Sequence, residues 1–380
     1  FEESSTDLCF VIWDENADKF AIIYRASYAG RCKVATISGT SVSFGSRTDM
    51  DTSSMNMGAG TFDSTNNKII VAYGDGTSNS QPTVRIGTIS GTTCSFGSKY
   101  AIDTGGYAQQ IGIAHDANSG KTVFAYKDAG NSNYGAARVG TVAGSSITFG
   151  TKVTFSGSNA ISDPFCVYDP VNYKVVVLYN DEGNSNKGTA LVGTVSGTDI
   201  SFGSAAIFEA NAMKYTKGVY HAAGGKVVAM YRLDGGNNND NISSAVGTIS
   251  GTSISFETPV SVTSFDTQKL GVAYDAASQN LVVSTRDSDN SNYGKTTVVK
   301  ISYSSQNLTS TNYIGISDAA YTNGQTATIQ VAGATDDAQS GLTAGQLYYV
   351  QNDGTLSTTA DSPSVIAGTA ISATKLIVKG

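Results

Sequence analysis

The chain has 380 residues, a formal net charge of −7 and only 14% charged residues. Hydrophobic residues make up 40% of it, with 20 Tyr and 14 Phe, which is enough apolar material for a folded core and excludes a disordered composition. So few cations on an acidic chain exclude a surface for nucleic acid, and no apolar run approaches the roughly 20 residues of a membrane span. We therefore expect neither a nucleic-acid partner nor membrane insertion.

A short phrase that crosses a glycine turn recurs five times along the chain. It reads ATISGTSVSFG, GTISGTTCSFG, GTVAGSSITFG, GTVSGTDISFG and GTISGTSISFE, and its turn glycines are Gly39, Gly91, Gly144, Gly197 and Gly251. These glycines are separated by 52, 53, 53 and 54 residues. A period of about 50 residues is typical of propellers and similar arrays.

A second phrase keeps the same period and occurs six times. It runs from an aromatic residue and Asp through a polar turn to an apolar strand, as in WDENADKFAIIY, FDSTNNKIIVAY and YDPVNYKVVVLY. Each period holds four strand-like runs; in the third copy they are Gln110–His115, Lys121–Tyr126, Ala136–Val142 and Ser146–Phe155. Val, Ile, Tyr, Phe and Thr dominate these runs, and no 3.6-residue apolar period indicates a helix.

The second run of each copy is apolar on both faces, as in FAIIY from Phe20 to Tyr24. Such a strand needs cover on both sides, which sheets stacked around an axis provide. The sequence therefore predicts an all-β protein, with a β-propeller of about six four-stranded blades over residues 1–303. Seven blades are the alternative. Phe1-Glu2 matches Phe208-Glu209, so we expect the chain to open inside a repeat, at the end of a fourth strand.

A different pattern begins near Ser304 and predicts a small β domain over residues 304–380. Asn352-Asp353-Gly354, between YYV and TLSTT, predicts a hairpin because Asp-Gly suits a turn with positive φ. The region ends in an apolar strand from Leu376 to Val378.

The chain is poor in residues that typically carry chemistry. Its four cysteines are far apart and are interpreted as mostly buried thiols, and its two histidines, His115 and His221, as substitutions within the repeat. An Asp recurs before the turn of the second phrase, at Asp14, Asp63, Asp116, Asp169 and Asp275. Catalysis needs unlike residues that converge on one point, so this recurrence favours a hydrogen-bonded turn. We expect no catalytic residue, no cofactor and no metal.

The loop after the second strand reads DAGNSNYG, DEGNSNKG and DSDNSNYG in three copies. The favoured interpretation is a hairpin whose Asn and Gly residues supply left-handed backbone geometry. Calcium is a weaker alternative, because a calcium loop normally offers several carboxylates. A third is contact with a glycan or other surface, since amides bind sugar hydroxyls and Tyr packs on sugar rings. The candidate contacts are Asn131, Asn133, Tyr134, Asn184, Asn186, Asn290, Asn292 and Tyr293.

The GTVSGTxISFGS phrase, the YDxxxxKVVVxYxDxGNSNYG phrase and the NLTSTNYIGIS tail together resemble long repeat-bearing virion structural proteins of marine tailed phages, of the cyanophage type. The resemblance implies a non-enzymatic tail-fibre, appendage or decoration protein on a virion or extracellular surface. It also implies self-association or binding to other virion proteins, with possible attachment to a host-surface glycan. One alternative is a bacterial lectin-like surface adhesin that binds glycans through propeller loops. Another is a glycan-cleaving propeller enzyme, which would need two or three acids converging at the hub.

Overall fold

The protein is described by a computed structural model that covers residues 6–105, 108–235, 240–301, 313–321, 325–351, 354–360 and 364–379. It divides into two compact regions, Phe1–Ile301 and Ser302–Gly380. The described residues form antiparallel strands throughout, which confirms the all-β prediction. The helices among them are three short 3₁₀ turns, Gly76–Ser78, Glu182–Asn184 and Ala222–Gly224. None of the described helices is long and apolar enough to cross a membrane.

The N-terminal region consists of six consecutive strand groups, named here repeats 1 to 6. Repeat 1 contains β1 (Thr6–Asp14), β2 (Lys19–Ala26), β3 (Ala29–Ser38) and β4 (Ser41–Phe44). Repeat 2 contains β5 (Thr48–Asp63), β6 (Lys68–Asp75), β7 (Gln81–Ser90), β8 (Thr93–Phe96) and β9 (Tyr100–Ala101). Repeat 3 contains β10 (Ala108–Asp116), β11 (Lys121–Asp128), β12 (Tyr134–Ala143), β13 (Ser146–Phe149) and β14 (Val153–Thr154).

The remaining repeats follow the same order. Repeat 4 contains β15 (Ile161–Asp169), β16 (Lys174–Asp181), β17 (Lys187–Ser196) and β18 (Asp199–Phe202). Repeat 5 contains β19 (Ala206–His221), β20 (Lys226–Leu233), β21 (Ile242–Ser250), β22 (Ser253–Phe256) and β23 (Val260–Ser261). Repeat 6 contains β24 (Thr267–Asp275), β25 (Asn280–Asp287) and β26 (Tyr293–Val299).

Within a repeat the strands form an antiparallel meander, first to second to third. The fourth position is divided: in repeat 3, β13 and β14 both pair with β12, at different ends. The predicted fourth run Ser146–Phe155 is therefore two short strands separated by a break at 150–152. In repeats 2 and 5 the first strand is 16 residues long, and its beginning also pairs with the third strand of the preceding repeat.

Each repeat has two faces, and the core lies between consecutive repeats. The leading face packs against the preceding repeat; in repeat 2 it includes Ile69, Val71 and Tyr73. The trailing face packs against the following repeat; in repeat 2 it includes Ile70 and Ala72. This arrangement joins repeats 1 to 5 through four separate apolar clusters. The observation explains why the second strand is apolar on both sides.

The C-terminal region is built from short strands around a small core. They are β27 (Ile316–Ser317), β28 (Ile329–Gln330), β29 (Thr335–Asp336), β30 (Leu347–Val350), β31 (Leu356–Ser357), β32 (Ile366–Ser372) and β33 (Lys375–Val378). The strand predicted at Leu376 to Val378 forms most of β33, which pairs with β29 and β32. The hairpin strands β30 and β31 pair as predicted, and Gly354 has a φ of 84°. Asn352 and Asp353 lie outside the described residues, as do Phe1 and Glu2.

Candidate functional site

The first strands of successive repeats lie beside one another, and the pairing of each is irregular about six residues before its end. The residue at this point lies five positions before the aromatic residue that precedes the last residue of the strand. Unlike residues occupy it in the six repeats: Leu8, Met57, Gln110, Asp163, Tyr215 and Lys269. Five of them have φ between 42° and 66°, a backbone conformation that non-glycine residues seldom adopt. Such strain is concentrated at functional sites.

Asp163 is held between the first strands of repeats 3 and 5. Its Oδ1 accepts a hydrogen bond from Gln110 Nε2 at 2.7 Å, and its Oδ2 accepts one from the Tyr215 amide at 2.8 Å. The Asp163 amide donates in turn to Gln110 Oε1 at 2.6 Å. The half-buried carboxylate is therefore fixed in position by groups from both neighbouring repeats.

Lys217 of repeat 5 interacts with this carboxylate, and Lys269 of repeat 6 interacts with Lys217. The ammonium of half-buried Lys217 lies 5.2 Å from the centre of the Phe165 ring. Burial lowers the pKa of Lys217, while the charge of Asp163 raises it and that of Lys269 lowers it further. The Lys269 ammonium lies 5.8 Å from the centre of the Tyr215 ring. We call Gln110, Asp163, Tyr215, Lys217 and Lys269 the first-strand cluster.

The guanidinium of buried Arg232 contacts the cluster through Tyr215, 5.0 Å from the centre of its ring. Its Nη1 pairs with Asp240 at 3.0 Å and its Nη2 with Asp234 at 3.4 Å. Arg232 therefore has carboxylates of its own. The ammonium groups of Lys217 and Lys269 lie over the rings of Phe165 and Tyr215 instead. A fixed carboxylate can accept a proton from water, and cations close to it can stabilise negative charge that develops on an oxygen.

The predicted surface loops lie at the same end of the repeats as this cluster. The carbonyl of Asn133 accepts a hydrogen bond from the Ile161 amide at 2.9 Å, two residues before Asp163. The carbonyl of Asn186 accepts one from the Met213 amide at 3.0 Å, two residues before Tyr215. The backbone of these two loops thus joins repeat 3 to β15 and repeat 4 to β19.

The candidate side chains themselves are spread over three loops. Asn131, Asn290, Asn292 and Tyr293 are exposed, and Asn133, Tyr134, Asn184 and Asn186 are half-buried. Asn133, Asn186 and Asn292 have φ of 64°, 60° and 63°, as the left-handed interpretation predicts. Glycan contact by these side chains stays a prediction.

The Asp at the start of each loop forms an ion pair with a lysine in two of the three copies. Lys152 lies 3.0 Å from Asp128, and Lys295 lies 2.6 Å from Asp287. In the remaining copy Asn159 donates to Asp181 at 3.2 Å. Among the described residues, no group of three or more His, Cys, Asp and Glu side chains is placed to hold a metal ion.

The recurring Asp residues have the turn role that the sequence predicts. Asp169 Oδ1 accepts from the amides of Val171 and Asn172 at 2.8 and 3.1 Å, and the other copies repeat this pattern. His221 replaces Asp and accepts from the Gly224 amide through Nδ1 at 3.2 Å. His115 contacts Asp63 at 3.4 Å, and burial lowers its pKa.

The cysteines are free thiols, three of them buried and Cys9 exposed. Burial raises the pKa of the Cys166 thiol to about 12, so this sulfur stays protonated at neutral pH.

The sheets, the consecutive packing and the adjacent first strands define a β-propeller-like all-β fold. A similar solved structure is the periplasmic gluconolactonase of Pseudomonas aeruginosa, with 10% identity, 77% of this chain and 85% of that chain covered, and a TM-score of 0.51. Another is a protein from Lactobacillus plantarum, with 10% identity, 76% and 83% coverage and a TM-score of 0.49. No protein-family model and no curated protein matches the chain.

These comparisons correct two predictions. The predictions of a phage virion structural protein and of a chain that is not an enzyme are wrong, because the fold matches that of a bacterial periplasmic enzyme over 77% of the chain. The bacterial lectin-like adhesin was the alternative within the same prediction of function, and it is not retained. The resemblance to phage proteins stays an untested prediction.

Sequence reasoning missed the first-strand cluster for a physical reason. Sequence reasoning compared the residues that recur, and the first-strand cluster is made of residues that differ between repeats. The signal was present: at the position of Asp163 the other repeats carry an amide, a phenol, an amine or an apolar group. A position that varies in chemistry inside an otherwise regular repeat is a candidate for function.

Proposed function

We propose that the protein is a hydrolase of small polyhydroxylated lactones, with the first-strand cluster as its active site. The six repeats, spaced by about 53 residues, are the blades of its propeller, and the first strands line the hub. The arrangement around Asp163 carries the proposal, since it brings unlike charged groups from different repeats to one point. The similarity to a gluconolactonase suggests the substrate class.

In this proposal Asp163 is the general base. Its carboxylate accepts a proton from water, and the resulting hydroxide attacks the lactone carbonyl. The hydrogen bonds from Gln110 and the Tyr215 amide keep the carboxylate oriented toward the water. The ring C–O bond then breaks, and the leaving oxygen takes up a proton to give the open hydroxy acid. Water is the only co-reactant.

Lys217 and Lys269 supply the electrostatic stabilisation. An ammonium close to the carbonyl stabilises the negative oxygen of the tetrahedral intermediate, and the same cations attract the carboxylate product. Because burial lowers the pKa of Lys217, a role as a cation predicts that activity falls as pH rises through that lowered value. Replacing Lys217 by Met removes this alkaline limb.

The test is hydrolysis of glucono-δ-lactone, measured by alkali uptake at constant pH after subtraction of the spontaneous rate. We expect a clear enzymatic rate for the natural protein and a loss of about 10²–10⁴-fold in Asp163→Asn, the usual contribution of a general base. The hydrolysis rate of Lys217→Met is expected to fall by a similar factor. Asp199→Asn and Lys187→Met change an exposed carboxylate and a half-buried cation outside the cluster, and should leave the rate unchanged.

A natural protein with no rate above buffer, toward this lactone and a panel of other sugar lactones, would refute the proposed activity. A rate that Asp163→Asn leaves intact would refute the assignment of the site. Extracellular or surface localisation remains a prediction.

A further inference from the structure

Repeats 2 and 3 each contain a lysine that bridges two carboxylates at the end of the second strand. The two groups are Lys99 with Asp51 and Asp75, and Lys152 with Asp103 and Asp128. The distances from ammonium to carboxylate are 2.8 to 3.0 Å, and all four carboxylates are buried. A buried charge is costly unless a charge of opposite sign pairs with it, so the lysine compensates the charge of both acids.

Repeat 4 keeps one of these acids and lacks the lysine. Ala205 stands at the lysine position, and Ser156 stands at the position of the first acid. Asp181, the last residue of β16, stands at the position of the second acid. It is buried like its counterparts, with an exposure of 6%. Repeat 4 therefore buries a carboxylate without the ammonium that accompanies it in the two preceding repeats.

The two oxygens of Asp181 differ in their surroundings. Its Oδ2 accepts a hydrogen bond from Asn159 Nδ2 at 3.2 Å. Its Oδ1 is buried and has no hydrogen-bond partner within the part of the chain that the structure describes. In repeat 3 the corresponding oxygen accepts from the Gly130 amide at 3.2 Å. The matching amide of repeat 4, that of Gly183, donates to the Ala160 carbonyl at 3.3 Å instead.

The groups around Asp181 are neutral or turned away from it. Lys187 is opposite Asp181 in the pairing of β16 with β17, but their charged groups form no ion pair among the described residues. The Ser156 hydroxyl donates to the Asn159 carbonyl at 2.6 Å. Burial, and then the charge of Asp181, raise the pKa of the Tyr179 hydroxyl, which is therefore neutral. One carboxylate among neutral groups suits a singly charged cation, since calcium sites normally offer several carboxylates.

We propose that Asp181 binds a small monovalent cation, potassium or ammonium, in the place that the lysine ammonium occupies in repeats 2 and 3. The ligand is Oδ1, the oxygen without a protein partner. The bound cation neutralises the buried charge, and through Asn159 it strengthens the connection between the end of β16 and the segment before β15. It stabilises repeat 4 and takes no part in the proposed lactone hydrolysis.

The first test is urea unfolding in potassium, ammonium or tetramethylammonium chloride at one ionic strength. A ligand that binds only the folded state raises stability with its concentration. We expect a higher unfolding midpoint in potassium or ammonium than in tetramethylammonium, whose methyl groups make it too large for a place of ammonium size. The salt with the larger effect identifies the cation. An equal midpoint in all three salts would overturn the proposal, since it means that water or a proton satisfies Asp181.

The second test fills the place from the protein itself. Ala205→Lys restores the lysine of repeats 2 and 3, so its midpoint in tetramethylammonium should rise and the difference between the salts should disappear. Asp181→Asn removes the charge and should also lose this difference while it remains folded by circular dichroism. A full difference between the salts in either folded variant would show that the cation acts elsewhere, and the assignment to Asp181 would be wrong.

The matched control is Ala276→Lys, which adds the same cation at an exposed alanine in a turn of repeat 6. This variant should keep the difference between the salts that the natural protein shows. If Ala276→Lys abolishes the difference as completely as Ala205→Lys does, the effect belongs to added positive charge in general and the proposed site is refuted.

Discussion

Removal of one buried hydroxyl, Tyr231→Phe, should destabilise the N-terminal region by about 1.5–3 kcal/mol, the range for a hydrogen bond to a charged group. The Tyr231 hydroxyl donates to Glu209 Oε2 at 2.7 Å, and both side chains are buried. The other oxygen, Oε1, accepts from the amide and the side chain of Asn211, each at 2.8 Å. Pro259 stands where repeat 3 carries Lys152, so the lysine that pairs with the carboxylate in repeat 3 is replaced in repeat 5.

Two other repeats provide matched comparisons. In repeat 3, Tyr126 donates to Asp103 at 2.9 Å, but Lys152 also lies 2.8 Å from that carboxylate. Tyr126→Phe should therefore cost less, about 1 kcal/mol, because the charge keeps a partner. In repeat 4, Ser156 occupies the position of Asp103, and its hydroxyl bonds to backbone groups. Tyr179→Phe should cost the least of the three.

The assay is urea unfolding of the three variants, with the free energy compared at equal m-value. We expect the order Tyr231 above Tyr126 above Tyr179. Equal losses in all three would show that the hydroxyls act only through packing, and the reasoning from the carboxylates would be refuted.

Two further predictions concern acid stability and packing between repeats. Burial would raise the pKa of Asp103, but hydrogen bonds hold it below its usual value, so its stabilising effect is present above about pH 4 and is lost as pH falls through the lowered value. The unfolding free energy should drop in this acid range, and Asp103→Asn should flatten the drop; an unchanged slope would contradict the assignment. Gly150→Ala places a methyl 1.8 Å from a backbone carbonyl oxygen of the next repeat and should cost more than about 3 kcal/mol in urea unfolding. Gly294→Ala meets nothing within 4 Å, so an equal loss there would refute the steric argument.

Much of the fold could be predicted from local sequence. The alternation of apolar residues and the glycine turns set the strands, and Asp169 and its counterparts identify their turns through hydrogen bonds to residues two and three positions away. These signals are short-range and repeat, so a single sequence displays them several times. The divided fourth strand was missed because the break between β13 and β14 depends on pairing with opposite ends of β12.

The candidate site could not be found in this way, because its members are about 53 residues apart and do not resemble one another. Gln110, Asp163 and Tyr215 meet only because consecutive first strands lie side by side.

The buried carboxylates also connect stability to the candidate site. Glu209 lies in the first part of β19, six residues before Tyr215, and Asp103 lies seven residues before Gln110, ahead of β10. Each therefore anchors the chain just before the irregular point of a first strand. Tyr231→Phe removes the hydrogen bond that holds Glu209, so the backbone between Glu209 and Tyr215 should become more mobile. The Tyr215 amide, which donates to Asp163, would then hold the carboxylate less firmly. The variant should therefore hydrolyse lactone more slowly even at temperatures where it remains folded, with the loss in kcat and little change in KM. Full activity in the folded variant would show that the bulge geometry of the first strand fixes Asp163 without help from the buried anchor.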